Sequence, residues 1–244
     1  MDYSDLIKKC ERDNDPARLW QAGRDDRGMD YTAAGRALLQ MGNPEYIFYA
    51  GRDWVCFDFG AGLDRLIGLK SAEFIHRAGI FWKEFDFTKG QAALIALGDP
   101  EYLYRAGRFW KRFDHDAGLD ALAASGQARY VYYAGQEWKV FNYGKGFDRL
   151  MRLASAEFIF YAGAHWKMFD YRTAFDLLLR LNNPEFIYKA GTLWKEFDHA
   201  RAWKALESEV KTGAQWRGKA FRQPVWRNAL SHIWRDAVRE NGLS

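Results

Sequence analysis

PEYIFYAGRDWVCFDFGAGLDRLIGLKS, residues 44–71, decides the fold, because its pattern returns along the chain. Its Ala50-Gly51 dipeptide recurs as Ala22-Gly23, Ala78-Gly79, Ala106-Gly107, Ala134-Gly135, Ala162-Gly163 and Ala190-Gly191, always 28 residues apart. A fixed period of this length marks an array of supersecondary units, each unable to bury its apolar face alone. Seven units start at Pro16, Pro44, Ala72, Pro100, Ala128, Ala156 and Pro184. Positions within a unit are counted from these residues.

The spacing inside a unit predicts two helices. In the second unit the recurrent residues of the first half are Tyr46, Ile47, Ala50, Gly51, Trp54 and Phe57, one face of a 3.6-residue period. In the second half, Leu63, Leu66 and Leu69 are three apart. Asn43-Pro44, Asp99-Pro100 and Asn183-Pro184 place an N-cap acceptor before a proline at the first helical position. Glu45, Glu101 and Glu185 follow where the helix dipole favours a negative charge. Asp58, Asp86, Asp114 and Asp170 sit where the second helix needs a cap. Tyr46-Ile47-Phe48-Tyr49 is rich in strand formers, but Phe175-Asp176-Leu177-Leu178-Leu179-Arg180-Leu181 speaks against strands. The expected fold is an all-α solenoid of seven tandem helix-turn-helix repeats, with helices of roughly 13 and 11 residues.

A mid-helix glycine costs about 1 kcal/mol relative to alanine, so a residue that recurs seven times has a packing reason. The expected stacking residues are Gly51, Trp54, Gly79, Trp82, Gly107, Trp110, Gly135, Trp138, Gly163, Trp166, Gly191 and Trp194. The Ala-Gly patch permits close helix approach and the tryptophan covers a neighbouring unit.

The ends read as caps on a single domain spanning 1–244. Residues 1–15 form an N-terminal capping helix, with Ile7 and Cys10 in the leucine slots and Asp15 before Pro16. Residues 16–211 hold the seven repeats, the first of them degenerate, with Asp26 in the tryptophan slot. Residues 212–244 form a basic capping segment. Within it Pro224 to Glu240 reads as an amphipathic helix with Val225, Leu230, Ile233 and Ala237 inward. The architecture is similar to tetratricopeptide, Sel1 and HEAT arrays, whose repeats are longer and whose signatures these residues do not carry.

Charge and composition bound the function. The net charge is +4, and aromatic residues make up 17% of the chain. From Lys211 onward, seven lysines and arginines face Asp236 and Glu240, so the preceding 210 residues sum to about −1. A basic body that tracks phosphates is therefore not expected. Cys10 and Cys56 have neither metal-ligand nor disulfide spacing. The start Met1-Asp2-Tyr3-Ser4-Asp5 carries no apolar leader, and no apolar run is long enough to span a bilayer. A cytoplasmic protein, or one exported without a signal, is expected.

No constellation for catalysis, cofactor or metal binding stands out. His76, His115, His165, His199 and His232 are dispersed. Asp114-His115-Asp116 looks chemical, but Asp114 is a helix cap and His199 occupies the same slot as His115. Lys83, Lys111, Lys139, Lys167 and Lys195 form one line. Glu45, Glu73, Glu101, Glu157, Glu185 and the capping aspartates are expected to neutralise it within and between units.

The remaining candidates lie off the core face of the first helix, at positions 5, 6, 9 and 10. Phe48, Tyr49, Arg52, Arg77, Tyr104, Arg105, Arg108, Tyr132, Tyr133, Tyr161 and Tyr188 are the residue types of binding hot spots. Burial of positions 5 and 6 between units is the competing reading. The expected function is a non-catalytic scaffold that binds a protein or peptide through these positions. A nucleic-acid-binding solenoid using arginine, tyrosine and the basic tail is the alternative, and a helical-repeat enzyme is the third class.

Overall fold

The structure, a computed structural model, describes residues 3–208, 216, 219–220 and 222–231. The described residues form sixteen α-helices and no strand. A capping helix α1 (Tyr3–Asp13) precedes seven pairs. Their first helices, the A layer, are α2 (Pro16–Asp25), α4 (Pro44–Asp53), α6 (Ala72–Phe81), α8 (Pro100–Phe109), α10 (Ala128–Glu137), α12 (Ala156–His165) and α14 (Pro184–Leu193). Their second helices, the B layer, are α3 (Tyr31–Met41), α5 (Phe59–Gly68), α7 (Phe87–Leu97), α9 (His115–Ala124), α11 (Tyr143–Leu153), α13 (Tyr171–Leu181) and α15 (His199–Ser208). A short α16 (Pro224–Ala229) closes the described chain. This is an all-α solenoid of 28-residue hairpins. Its internal contacts group into two compact units, Met1–Ser125 and Gly126–Ser244.

Each start signal acts as the sequence predicts. Asn43 and Asp99 accept from the N–H groups two and three residues on, and Asp58, Asp86, Asp114 and Asp170 accept from the third. Every B helix of the described repeats that ends before a new unit stops near position 27. There the backbone turns left-handed at Gly42 (φ 71°), Lys70 (φ 54°), Gly98 (φ 68°), Gly126 (φ 74°), Ala154 (φ 51°) and Asn182 (φ 48°). Glycine and asparagine suit that conformation; lysine and alanine carry its steric cost.

The A helix is shorter than its sequence period suggests. It spans 10 residues and stops one residue before the tryptophan. Trp54 closes it: its backbone N–H still bonds the Ala50 carbonyl, while φ −75° and ψ 147° turn the chain out of the helix. Trp82, Trp110, Trp138, Trp166 and Trp194 repeat this cap. The recurrent spacing of Trp54 and Phe57 therefore belongs to the loop. The glycine lies in the last turn, not the middle, of the A helix.

From that loop the tryptophan reaches back to the preceding repeat. Trp82 donates its indole N–H to the Phe48 carbonyl at 3.0 Å, and Trp110 to that of His76 at 2.9 Å. In the second unit Trp166 donates to Tyr132 at 3.2 Å and Trp194 to Phe160 at 3.0 Å. The same rings cover the preceding glycine. A Cβ on Gly23 would stand 2.6 Å from Trp54, and one on Gly135 or Gly163 would stand 2.5 Å from Trp166 or Trp194. Phe57 lies between Trp54 and Trp82, with ring centroids 6.3 and 5.4 Å away.

At the ends, α1 packs on α2 and α3 with Ile7 and Cys10 buried. On α16 the inward residue is Trp226, fully buried against Gly191, while Val225 is exposed. Val225 therefore does not face the core, because the tail supplies a final tryptophan in place of an eighth repeat. Leu230 is buried as expected; Ile233, Ala237 and the rest of the expected helix lie outside the described residues.

Candidate functional site

The A-layer surface separates into a buried row and an exposed one. At position 5, Phe48, His76, Tyr132 and Phe160 face the following A helix of their own unit; Phe48, His76, Tyr104 and Phe160 are buried, and Tyr132 and Tyr188 are half-buried. Tyr104, expected on the interaction surface, is 8% exposed and is buried instead. Positions 6, 9 and 10 face outward and carry the accessible groups.

In the Met1–Ser125 unit these groups make an arginine–aromatic mosaic. Arg52 pairs with Asp53 at 2.7 Å and lies 4.7 Å from the Tyr49 ring. Its hydrogen bond to that carboxylate raises the guanidinium pKa. Arg77 stacks 4.7 Å over Phe48 and 5.1 Å over Phe74, and pairs with Glu73 at 3.3 Å. Arg105 pairs with Glu101 at 2.6 Å, and Arg108 lies 4.9 Å over Phe109. Phe81 and Phe109 are exposed to 55% and 51%. Beneath them His76 is buried, and its Nε2 has no hydrogen-bond partner. Burial first, then the cations of Arg105 and Arg77, push its pKa down to about 4.

In the Gly126–Ser244 unit the mosaic is tyrosine and histidine. Tyr132 and His165 share a hydrogen bond of 2.8 Å, and Tyr161 stacks on His165 with rings 16° from parallel. Burial, then the neighbouring phenols of Tyr133 and Tyr161, raise the Tyr132 pKa. Tyr133 and Leu193 are exposed. Tyr188 is withdrawn from this surface by Trp216 and Trp226, whose ring centroids lie 5.4 and 6.1 Å away.

The polar residues singled out for chemistry have structural partners. His115 donates from Nε2 to the Gly107 carbonyl at 3.1 Å, and His199 does the same to Gly191 at 2.9 Å. Tyr31, Tyr143 and Tyr171 occupy that slot elsewhere and donate to Gly23, Gly135 and Gly163. The slot thus satisfies a carbonyl at the open end of the A helix. Among the described residues no group of three His, Cys, Asp or Glu is placed to hold a metal, and no helix is long and apolar enough to cross a membrane.

The lysine line differs from expectation. Lys83, Lys111, Lys139, Lys167 and Lys195 lie in the loops after the A helices, exposed, and among the described residues none forms an ion pair. The recurrent glutamates sit at the opposite end of those helices and pair one turn on instead: Glu73 with Arg77, Glu101 with Arg105, Glu185 with Lys189. Distance along the helix keeps the two rows apart. Trp226 stood out in the sequence only as a tryptophan of the basic tail, a candidate nucleic-acid or membrane contact, and is instead the buried stacking ring over Gly191; the aromatic-or-histidine slot after the cap residue was not singled out. The slot was visible as Tyr31, Phe59, Phe87, His115, Tyr143, Tyr171 and His199 recurring at the unit period.

No known protein family and no curated protein matches the chain. Two solved structures are similar to it. One is a Sel1 repeat protein from Oxalobacter formigenes, 13% identical, covering 90% of each chain with a TM-score of 0.30. The other is a de novo designed helical repeat protein, 18% identical, covering 98% of this chain and 93% of the other with a TM-score of 0.11. Neither superposition is close enough to say anything of the site.

Proposed function

We propose that the chain is a non-catalytic repeat scaffold that binds a protein or peptide along the exposed row of the A layer. The observation that carries this reading is the row itself. In one unit Phe81 and Phe109, and in the other Tyr133 and Leu193, project from A helices at positions whose identity changes from repeat to repeat. Neighbouring A helices pack together more extensively than neighbouring B helices. Arginine and tyrosine, as at Arg108 and Tyr133, are residue types enriched in binding hot spots.

Affinity capture with the full chain as bait, followed by mass spectrometry, tests this. Arg108→Ala and Tyr133→Ala should each lose a partner that the wild type retains while keeping helicity and melting temperature. Equal capture by both folded variants refutes the assignment of this row. The nucleic-acid reading is favoured by the arginine–ring stacks, which would suit bases. It requires binding of mixed-sequence oligonucleotides that falls steeply with salt.

A further inference from the structure

The A layer holds one ring cluster twice, once with arginines on it and once without. Between α2 and α4 the cluster is Trp20, Tyr46 and Tyr49, with ring centroids 5.3 to 6.0 Å apart. Between α10 and α12 it is Tyr132, Phe158 and Tyr161, at the same repeat positions and 5.8 to 6.1 Å apart. The first and third rings are inclined at 38° in one cluster and 36° in the other. In both, the first ring bonds position 10 of the following A helix: Trp20 donates to Asp53 at 3.2 Å, and Tyr132 shares its 2.8 Å hydrogen bond with His165. Tyr132, Phe158 and Tyr161 are half-buried, so part of each ring faces solvent.

In the first cluster position 9 of both helices is an arginine. Arg24 lies 4.9 Å over Trp20 and Arg52 lies 4.7 Å over Tyr49. Each pairs at 2.7 Å with the aspartate that follows it, Asp25 or Asp53. In the second cluster position 9 is Gln136 and Ala164, and among the described residues no cation lies over Tyr132, Phe158 or Tyr161. Other A-layer contacts do carry one: Arg77 over Phe48 and Phe74, Arg105 over Tyr102, Lys189 over Phe186. The carboxylates remain at the second cluster. Glu137 is exposed in the slot of Asp25. Glu157, one turn before Tyr161, is exposed and unpaired among the described residues, whereas Glu45 in the same slot accepts the Tyr49 hydroxyl at 3.0 Å. Arg129 is the only lysine or arginine on α10 and α12, and it is held 2.8 Å from Gln127 and 4.7 Å over Tyr130. On α14, Lys189 is taken by Glu185. The second cluster thus keeps the rings and the negative charge of the first but not its arginines.

We infer that the cluster of Tyr132, Phe158 and Tyr161 takes an arginine side chain of the partner. The guanidinium lies on a ring face, as Arg24 lies on Trp20, and its N–H groups turn to Glu137 or Glu157. A planar, weakly hydrated guanidinium stacks on rings and matches carboxylates better than the compact, strongly hydrated ammonium of lysine. This rests on the A-layer reading above and adds the chemistry of its partner, an arginine-bearing peptide.

The test is fluorescence anisotropy on the full chain, at moderate salt, with a fluorescein-labelled peptide of Gly, Ser and four Arg. Counterparts carry Lys or citrulline in place of every Arg. The arginine peptide should bind most tightly and the neutral citrulline peptide least. Gln136→Arg/Ala164→Arg gives the second cluster the arginines of the first and should weaken the arginine peptide about fivefold, the size of one ring–cation contact. Ala96→Arg/Ala124→Arg adds the same charge at exposed B-layer positions and should weaken it less than about twofold. Tyr161→Leu removes a ring without changing charge and should again cost about fivefold, with circular dichroism confirming the fold. Equal binding of the arginine and citrulline peptides, equal losses in the two double-arginine variants, or unchanged affinity in folded Gln136→Arg/Ala164→Arg and Tyr161→Leu chains overturns the inference. So does a poly-dT oligonucleotide that Tyr161→Leu weakens while the arginine peptide is unaffected, which would assign the rings to bases. If any of these results appears while display-selected peptides still depend on Arg108 and Tyr133, the arginine site is lost and the A-layer reading stands.

Discussion

The Trp82 ring covers the bare α-carbon of Gly51 and sends its indole N–H to the Phe48 carbonyl, three residues earlier on the same helix, at 3.0 Å. One side chain thus joins two repeats by packing and by a hydrogen bond. A fixed interval of 28 residues preserves both at once, because any insertion would take the ring off its glycine.

This joint decides the sign of two glycine-to-alanine substitutions. In a helix alanine is ordinarily better by about 1 kcal/mol. At Gly35, in the middle of α3, an added Cβ meets nothing within 4 Å, so Gly35→Ala should raise stability by about that amount. At Gly51 the Cβ would strike the Trp82 indole, so Gly51→Ala should lower stability by about 1 to 3 kcal/mol despite its better propensity. Urea unfolding of both variants checks the opposite signs.

The left-handed stops of the B helices give a second prediction. Ala154 holds φ 51° where Gly42, Gly98 and Gly126 stand in other repeats. Ala154→Gly should stabilise the chain by about 1 kcal/mol, the relief of the left-handed strain less the entropy glycine brings to the unfolded chain. A melting temperature that falls would show that another contact of the alanine methyl outweighs the strain.

His76 makes stability depend on pH. Its imidazole takes a proton near pH 6.5 in the unfolded chain but only near 4 in the folded one. Below pH 6.5 the unfolded state therefore binds the proton first. Stability falls between about 6.5 and 4 and levels off below, a loss of up to about 3 kcal/mol. Phe48 and Phe160 fill the same slot in other repeats, so His76→Phe should remove this component and add about 1 to 3 kcal/mol at neutral pH by eliminating an unpartnered buried nitrogen. Chemical denaturation across pH 4–7 of wild type and variant measures both effects.

The fold was legible because recurrence within one chain reveals what a single unit conceals. Ala50-Gly51 and the cap residues Asn43 and Asp58 stood at the same positions in the sequence and in the structure. The end of the A helix was not legible. Trp54 and Phe57 continue the helical spacing, and nothing in a periodicity separates a helical face from an extended loop that points aromatic rings the same way. Of the candidate surface, Arg52, Arg105, Arg108 and Tyr133 are exposed, whereas Tyr104 is buried and Tyr188 is covered by the tail. Position 5 is where successive A helices meet, so its burial depends on a neighbour 28 residues away. The pairs Asp64–Lys89 and Asp176–Arg201 were missed for a related reason: they join positions in different repeats.

The most direct measurement is a random-peptide display selection on the immobilised full chain, with each isolate titrated against wild type and the Arg108→Ala/Tyr133→Ala variant. Binding along the A-layer row predicts isolates that lose at least about fivefold in affinity for the folded variant, as expected when hot-spot side chains are truncated. Isolates that bind wild type and variant equally, or a selection that returns no binder while oligonucleotides bind in a steeply salt-dependent way, would contradict it.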